Sequence, residues 1–581
     1  MQAARTNEEI HIMLKNREKF IIDKRLSCLE LKKLSTKTRA DANSIFGSLT
    51  EALKKTTTLQ HMVLELMHIG PLAADLLGEG LRVNQSLTRV TLRGCEFENT
   101  SINKLAQSLV PSNIMDLDVS KCDFKLKFKD LQPILHRLKK LNIASNDITS
   151  ATFQVLVEFM KTNTYLTSLN ISDNVRTSRG EMKRLFEVLT TNNSLIELDV
   201  SSNSMDKEDR EALTGLLLDN TTLKTLHMQY TQFNQHDAQG FNALKHNTSL
   251  TCLNVSHSAF GDNTLNELID ALTLNTSLKQ LHLGNITFDN LNWNGMSQFL
   301  TNSKKLEVLN VRLVPMAPDD RAILFEGLTR NQSLNSLDLQ QQDAVKNRGL
   351  VTMLSANTRI TNLSLQRNSI PKKFFTWMIS GNSTIKSLNI SFLLQRNRMQ
   401  LITQLVECNV KTLKHLVASN GTTTDELKSF FKALQVNNSI TSLTIIERKP
   451  KNMFYQLLGD VFQHNRAMRS LTIISSTMSQ IDAKHVLNGL KHNRSMTQLN
   501  GIVLTGEISD QLYENKCTQQ SIVHNVISNL FVFAWCPRIR EGLPSEIWRE
   551  ILRFITHPGI DLDFALIWRE ILAEKRIRKV I

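Results

Sequence analysis

Apolar residues recur along this chain with a period of about 28 residues. Each period contains the phrase Asn-x-x-Leu-x-x-Leu-x-Leu, as in the run from Asn275 to Leu283. The first apolar position of the phrase occurs 17 times at intervals of 24 to 29 residues, at Leu59, Leu87, Ile114, Leu138, Leu166, Leu195, Leu223, Leu250, Leu278, Leu306, Leu334, Ile360, Ile385, Leu413, Ile440, Met468 and Met496. Chance does not maintain such a period, so the pattern predicts a stack of similar units.

Two hydrophobic patterns alternate within each unit. The last two leucines of the phrase are two residues apart, which is the period of a half-buried strand whose intervening side chains face solvent. The segment that follows has the spacing of an amphipathic helix, as in Met182, Leu185, Phe186 and Leu189. A strand, a helix and a parallel strand make a right-handed crossover, so the units predict a parallel sheet inside a curve and helices outside.

A small polar residue follows the last strand leucine by three positions in several units. Such a side chain can hydrogen-bond to the backbone groups that a tight, stacked turn removes from water. The residues at this turn position are Cys95, Cys122, Asn146, Asn174, Asn203, Thr231, Ser258 and Asn368. Gln342, Leu393 and Arg448 occupy the same position in three other units, where we expect irregular turns.

The repeat phrase with its polar turn position resembles the leucine-rich repeat family, in the ribonuclease-inhibitor-like subclass with long helical repeats. The resemblance covers roughly residues 26 to 505. It implies an α/β fold, namely a right-handed leucine-rich repeat solenoid with a parallel inner sheet, outer helices and a helical C-terminal element. We expect a basic N-terminal cap with a first degenerate repeat at 1–58, a solenoid of about 17 units at 59–505, and the C-terminal element at 506–581.

The net charge of +14 raises the question of nucleic-acid binding. The positions predicted to face outward from the sheet are neutral or acidic more often than basic: Asp116, Asp118, Ser168, Asn170, Glu197, Asp199, His227, Asn254, His282, Asn310, Asp338, Ser364 and Asn389. The excess cations fall on helices and caps, where they usually form a solvated face, and residues 1–58 alone carry 12 Lys or Arg against 7 Asp or Glu. A nucleic-acid partner is therefore not favoured.

The cysteines and the apolar runs indicate the compartment. Seven cysteines without paired spacing favour a reducing environment. The first residues lack an apolar signal core, and the run from Leu530 to Trp535 is too short to span a bilayer. We therefore expect a soluble, intracellular and cytoplasmic protein with no membrane span.

No motif for catalysis or for cofactor binding is present in the sequence. His227 and His282 would be separated by one strand, about 10 Å, which is too far for a shared metal ion. Some bacterial leucine-rich repeat proteins carry a cysteine-dependent ubiquitin ligase domain, which makes Cys517 and Cys536 candidate nucleophiles. Cys536 lies between Trp535 and Pro537 in an apolar setting that would raise its thiol pKa. We therefore expect structural cysteines, no enzyme, no metal and no cofactor.

The C-terminal element contains an amphipathic helix at 543–555 that begins with Leu543 and Pro544. Its opening resembles the first helix of an F-box, the module through which substrate receptors dock on the adaptor subunit of cullin-type ubiquitin ligases. The resemblance implies that Leu543, Pro544, Ile547 and Ile551 contact such an adaptor. The same pattern also fits a helix that caps the last repeat and shields its edge. Both interpretations stay open.

Function then rests on binding, because a long curved surface without a catalytic site is typical of protein-recognition scaffolds. We expect the concave face to bind a protein partner. In the later repeats its solvent-facing positions become apolar at Val417, Ile446 and Ile474, where earlier units carry polar residues such as Asn170, Asp199 and Asn254. The apolar residues predict either a partner contact or a surface that the C-terminal element covers.

Overall fold

The computed structural model describes residues 2–4, 7–15, 20–23, 26–34, 39–98, 101–122, 131–175, 180–234, 237–261, 263–341, 348–395, 397–419, 423–447, 453–474, 478–501 and 507–519. The chain divides into two compact units, 1–513 and 514–581, and the repeats belong to the first. Gln342, Arg448, Cys536 and the F-box-like residues Leu543, Pro544, Ile547 and Ile551 lie outside the described residues.

Eighteen of the described strands form one parallel sheet in which each strand pairs with the strand of that sheet that comes next along the chain. They are β3 (Cys28–Lys32), β4 (His61–Glu65), β6 (Arg89–Thr91), β8 (Asp116–Asp118), β9 (Lys140–Asn142), β10 (Ser168–Asn170), β11 (Glu197–Asp199), β12 (Thr225–His227), β14 (Cys252–Asn254), β16 (Gln280–His282), β18 (Val308–Asn310), β19 (Ser336–Asp338), β20 (Asn362–Ser364), β21 (Ser387–Asn389), β22 (His415–Ser419), β23 (Ser442–Ile446), β24 (Ser470–Ile474) and β25 (Gln498–Asn500). Seventeen follow the repeat phrase, and β3 belongs to the degenerate first repeat.

Shorter strands form three small sheets. They are β1 (Gln2–Ala4) with β2 (Phe20–Ile22), β5 (His68–Ile69) with β7 (Glu96–Phe97), and β13 (Gln232–Phe233) with β15 (Ala259–Phe260) and β17 (Thr287–Phe288). The last two sheets lie just after the turns of their repeats, where Phe233 and Phe260 pack with ring centroids 4.8 Å apart. They extend the pairing of neighbouring repeats beyond the main sheet.

One helix, α1, lies between β1 and β2, and the other helices connect successive strands of the main sheet. They are α1 (Asn7–Lys15), α2 (Arg39–Lys55), α3 (Pro71–Val83), α4 (Ser101–Leu109), α5 (Gln132–Leu135), α6 (Ser150–Thr162), α7 (Glu181–Thr191), α8 (Lys207–Asp219), α9 (Ala238–Ala243), α10 (Thr264–Leu274), α11 (Trp293–Asn302), α12 (Pro318–Arg330), α13 (Arg348–Ala356), α14 (Lys372–Ser380), α15 (Arg398–Glu407), α16 (Thr424–Val436), α17 (Phe454–His464) and α18 (Gln480–Lys491). A further helix covers residues 507–519.

The core lies between the sheet and the helices. Leu253, Leu281 and Leu309 are in register at the centres of adjacent strands, and each is at most 1% exposed. The predicted apolar stripe of α7, from Met182 to Leu189, is buried in the same hydrophobic core. Every unit buries its apolar face on its neighbours, which confirms the predicted α/β solenoid.

The curvature follows from the different widths of strands and helices. Paired strands lie about 4.8 Å apart, whereas packed helices need roughly 8 to 10 Å. The sheet therefore forms the shorter, concave side. Glycines permit the closest helix contacts: a Cβ at Gly489 would lie 2.1 Å from the Gly459 carbonyl oxygen, and one at Gly327 would lie 2.7 Å from that of Ser297.

A left-handed residue immediately precedes the turn position in unit after unit. Thirteen non-glycine residues have φ between 53° and 60° there, and Gly94 has φ 65°: Lys33, Leu66, Lys121, Ser145, Asp173, Ser202, Tyr230, His257, Asn285, Leu313, Gln341, Arg367 and Phe392. The prediction of an irregular turn at Leu393 is therefore wrong, because Phe392 has a φ of 54°, within the range found at the same position of the other units. Burial of Leu393 to 2% exposure replaces the polar side chain of other units.

The polar turn residues hydrogen-bond to buried backbone groups, as predicted. Asn174 donates from Nδ2 to the carbonyl oxygens of Ile143 and Ile171 at 3.0 and 2.9 Å, and its Oδ1 accepts from the backbone N–H of Asn146 at 2.9 Å. Cys122 takes the same place with a thiol, which donates to the Leu92 carbonyl oxygen at 2.9 Å. Each turn is thereby tied to the preceding unit.

The asparagine that begins the repeat phrase forms a second set of bonds between units. Asn275 donates to the carbonyl oxygens of Leu244 and Asn247, and it accepts from the backbone N–H groups of Ser277 and Leu278. Because the side-chain amide both donates and accepts hydrogen bonds, it connects the backbone of the preceding unit to the backbone that leads into the strand of its own unit. This role explains why asparagine recurs at that position.

Candidate functional site

The outward face of the sheet is the largest candidate surface. The predicted outward positions from Asp116 to Asn389 are all half-buried and lie on either side of the central leucine row. Asn254, His282 and Asn310, for example, are in register on three adjacent strands. This confirms the predicted direction of these side chains, which present one continuous row across the repeats.

Cations near the N-terminal end of this face are paired with carboxylates. Lys32 Nζ lies 2.6 Å from Glu30 and 3.1 Å from Glu65, and these partners raise the Lys32 pKa. Arg89 Nε lies 2.6 Å from Asp116 on the neighbouring strand. Cations neutralised in this way do not form a track for a phosphate backbone.

Cys28 and His61 form a cysteine–histidine contact on adjacent strands, with Sγ 3.5 Å from Nδ1. Burial, followed by the charge of Glu30, raises the Cys28 pKa. Burial and the Arg89 charge lower the His61 pKa. A nucleophilic thiolate paired with an imidazolium needs the opposite shifts, so this contact lacks the electrostatics of a cysteine nucleophile.

The structure brings together an aromatic and basic cluster that was not predicted from the sequence. The Tyr230 and His257 rings stack with centroids 4.7 Å apart and planes 11° from parallel. Arg312 Nη2 donates to His257 Nε2 at 3.0 Å, and the Asn285 amide lies 2.9 Å from His257 Nδ1. We call these four residues the Tyr230–Arg312 cluster. Tyr230 and His257 both occupy the left-handed turn position, which many residue types fill in this chain, so no sequence signal marked the cluster.

Gly284 makes room for the arginine of this cluster. A Cβ at Gly284 would lie 2.7 Å from Arg312 Cγ and 3.0 Å from Arg312 Nε, so the side chain lies directly over the glycine. Arg312 thus extends from its own repeat across the preceding one to reach His257. A larger residue at 284 would block this path.

The protonation of His257 follows from its partners. Because Arg312 Nη2 can only donate, His257 Nε2 accepts and the ring is neutral in this contact, while its other nitrogen, Nδ1, lies 2.9 Å from Asn285 Nδ2. Burial and the Arg312 charge lower the His257 pKa, which favours the same neutral form. On the next strand, burial raises the Asp338 pKa while Arg312 acts in the opposite direction.

His227 and His282 are separated by one strand, as predicted, since Asn254 pairs with both. Burial, then the charges of His227 and Arg312, lower the His282 pKa. Within the described part of the chain, no three His, Cys, Asp or Glu side chains converge as metal ligands.

The predicted apolar positions lie on the outward face, but in two rows. Val417 is in register with Asn389 and Thr444, whereas Ile446 pairs with Ser419 and Ile474. The predicted equivalence of Ile446 and Ile474 with Asn170, Asp199 and Asn254 is therefore wrong. Strands β22, β23 and β24 have five residues where most have three, and the extra length adds one further outward position. We call Val417, Ile446 and Ile474 the apolar patch.

The side chains of the apolar patch differ in exposure. Ile474 is 53% exposed, while Val417 and Ile446 are half-buried. Ile446 and Ile474 are direct partners on adjacent strands, and Val417 lies diagonally from Ile446, a separation of about 7 to 8 Å between Cα atoms. The three side chains are thus close enough to act as one patch.

Three of the remaining cysteines are buried. Burial raises the pKa of Cys95 and of Cys252 to about 11 and raises that of Cys122 still more. Cys517 lies half-buried in the helix over 507–519. No helix within the described ranges is both long enough and apolar enough to cross a bilayer.

Comparison with known proteins identifies the repeats. The family model described as Leucine Rich repeat matches residues 162–175, 191–213 and 246–263. These segments contain the strands, turns and asparagines described above. The chain is a leucine-rich repeat protein.

Its similarity to named proteins of this kind is partial. It is 24% identical to mouse ribonuclease inhibitor over 320 residues, which cover 48% of this chain and 70% of the inhibitor. It is 21% identical to Rho GTPase-activating protein gacW of Dictyostelium discoideum, covering 64% of this chain and 30% of that protein. It is 22% identical to a protein phosphatase 1 regulatory subunit 37 homolog of Caenorhabditis briggsae, covering 39% and 26%. The chain thus spans under a third of the last two relatives, and its likeness to the inhibitor supports the ribonuclease-inhibitor-like subclass.

Proposed function

We propose that this leucine-rich repeat protein is a non-catalytic scaffold that binds a protein partner on the concave surface of its sheet. The observation that carries the proposal is the single sheet of eighteen strands, whose outward side chains form one unbroken surface. A surface of that length suits recognition of a folded protein. Two relatives have names that describe action on another protein, a ribonuclease inhibitor and a phosphatase regulatory subunit homolog.

The apolar patch is the proposed centre of this contact. Exposed apolar side chains on adjacent strands often mark an interface, since a partner that covers them removes apolar area from water. Ile474 contributes most to such a patch because it is 53% exposed. A C-terminal element that folds over the patch is the alternative explanation.

The double variant Ile446→Asp with Ile474→Asp tests this contact. The partner is captured from a cell lysate with the full chain, identified, purified and titrated against both chains. We expect at least a tenfold loss of affinity, because two charges would be desolvated at the interface. The matched control is Ile481→Asp, since Ile481 on α18 is 70% exposed. Unchanged affinity in a natively folded double variant would exclude the patch as the contact.

We further propose, as a second candidate function, that the chain is the substrate receptor of a cullin-type ubiquitin ligase. The observation in its favour is the Leu-Pro-x-Glu-Ile opening at Leu543, Pro544 and Ile547, followed by Ile551. The repeats would select the substrate, and residues 543–572 would recruit the adaptor subunit.

Replacement of Leu543 and Pro544 together by Ala separates the two interpretations of this segment. An adaptor-docking helix predicts that the variant loses adaptor in a pull-down while thermal unfolding of the repeats is unchanged. A cap predicts lower stability of the units near Met468 and Met496 and no effect on any adaptor. Failure of the wild-type chain to bind an adaptor subunit would remove the ligase proposal and leave the scaffold proposal standing.

A further inference from the structure

The Tyr230–Arg312 cluster differs electrostatically from several other cation sites along the sheet. Lys32, Arg89 and Lys279 each lie within 3.1 Å of a carboxylate on their own or a neighbouring strand. Arg312 has no carboxylate within 4.0 Å among the described residues, and its Nη2 donates instead to a neutral imidazole. A guanidinium with this partner keeps its full charge available for an anion.

The position of Arg312 is fixed in advance. Its side chain lies over Gly284, and His257 holds its Nη2 end at 3.0 Å. Arg312 Nε is buried without a hydrogen-bond partner. An arginine ordered before binding loses little side-chain entropy on contact, so each hydrogen bond to a ligand contributes more to affinity.

A flat aromatic surface lies beside the guanidinium. Tyr230 is 61% exposed and stacks on His257, which in turn accepts from Arg312. Tyrosine and arginine are, with tryptophan, the residues enriched where binding energy concentrates at protein interfaces. The ring offers contact area for an apolar or aromatic side chain next to the charge.

We propose that the Tyr230–Arg312 cluster binds a carboxylate side chain, Asp or Glu, of an acidic segment in the protein partner, with the neighbouring partner side chain packed on Tyr230. This inference rests on the proposed function, because it assigns the chemistry of a partner on the same concave surface. A carboxylate fits better than a phosphate. The cluster has one formal cation, and Asp338 on the adjacent strand would repel a dianion.

Peptide selection on the full-length chain tests the assignment. A random-peptide display library is selected on the immobilised wild-type chain, and individual peptides are then titrated in solution. We expect the peptides to share an Asp or Glu whose change to Asn or Gln weakens binding to the wild-type chain about thirtyfold, the loss typical of a desolvated charge pair. Against Arg312→Ala, the same peptide change should have no effect, which closes a double-mutant cycle.

Two further variants isolate the geometry. Gly284→Ala keeps the arginine but displaces it, and we expect about a tenfold loss of affinity. Lys279→Ala removes the same charge from a cation already paired with Glu307, and we expect less than a twofold change. An equal loss in Lys279→Ala and Arg312→Ala would overturn the proposal, since a diffuse charge effect would then explain both.

Selected peptides that lack acidic residues, or that bind Arg312→Ala as well as wild type, also overturn it. If those peptides lose affinity for the double Asp variant at 446 and 474, binding on the concave surface still stands. If neither Arg312→Ala nor the double Asp variant weakens the binding of these peptides, the proposed function fails as well.

Discussion

Replacement of Asn174 by Ala tests whether the turn asparagines bind the units together. The side chain is 4% exposed, and the three shortest of its four hydrogen bonds to backbone groups measure 2.9 to 3.0 Å. Loss of three bonds at about 1 kcal/mol each, with about 1 kcal/mol more for the buried N–H of Asn146, gives a loss of roughly 4 kcal/mol in unfolding free energy. The effect should be confined to the neighbouring units, because each unit contacts only those beside it.

Urea denaturation and amide hydrogen exchange measure this loss. We expect the Asn146 amide to exchange much faster in the Ala variant, because its acceptor is the Asn174 side chain. Asn174→Ser should cost about half as much, since Ser258 bonds to the backbone at the same turn position. Asn193→Ala, at an exposed site, is the control. A change below about 0.5 kcal/mol for Asn174→Ala would refute this account of the turns.

Three more predictions concern the core, the helix contacts and the thiols. Leu281→Asp places a charge at a site that is 0% exposed. Hydrogen exchange should therefore show loss of protection around β16, while distant repeats stay protected. A uniform loss of protection along all repeats would contradict local unfolding. Gly489→Ala should lower the thermal midpoint, with a cost of about 3 kcal/mol from its clash with Gly459, and an increase would show that the helices separate freely. Because burial raises the Cys95 pKa to about 11, a thiol reagent at pH 8 should label exposed Cys408 first and Cys95 only on unfolding; equal rates in the folded chain would contradict this.

The repeat architecture could be predicted because its signals are local. Leu281 and Asn174 each recur at fixed spacing, and burial of one and backbone bonding of the other follow from the pattern. The alignment of Ile446 and Ile474 could not be deduced in the same way. The run Leu443–Ile446 places apolar residues both inside the usual three-residue strand and beyond it, so only the length of β23 decides which position faces out.

The Tyr230–Arg312 cluster was also beyond sequence reasoning. Its members are 27 and 55 residues apart, and their contact depends on side-chain reach across a repeat. The missing Cβ of Gly284 decides whether Arg312 can lie flat, and nothing in the repeat phrase marks that glycine. The sequence repeat therefore predicts the fold of the units, whereas the candidate site depends on side chains that differ from one unit to the next.

Site-specific photo-crosslinking of the captured partner tests most directly whether the concave surface is the binding face. A photoreactive residue is placed at Thr444 on the sheet or at Gln404, an exposed position on α15. We predict a crosslink to the partner from Thr444 and none from Gln404. A crosslink from Gln404 with none from Thr444 would contradict binding on the concave surface.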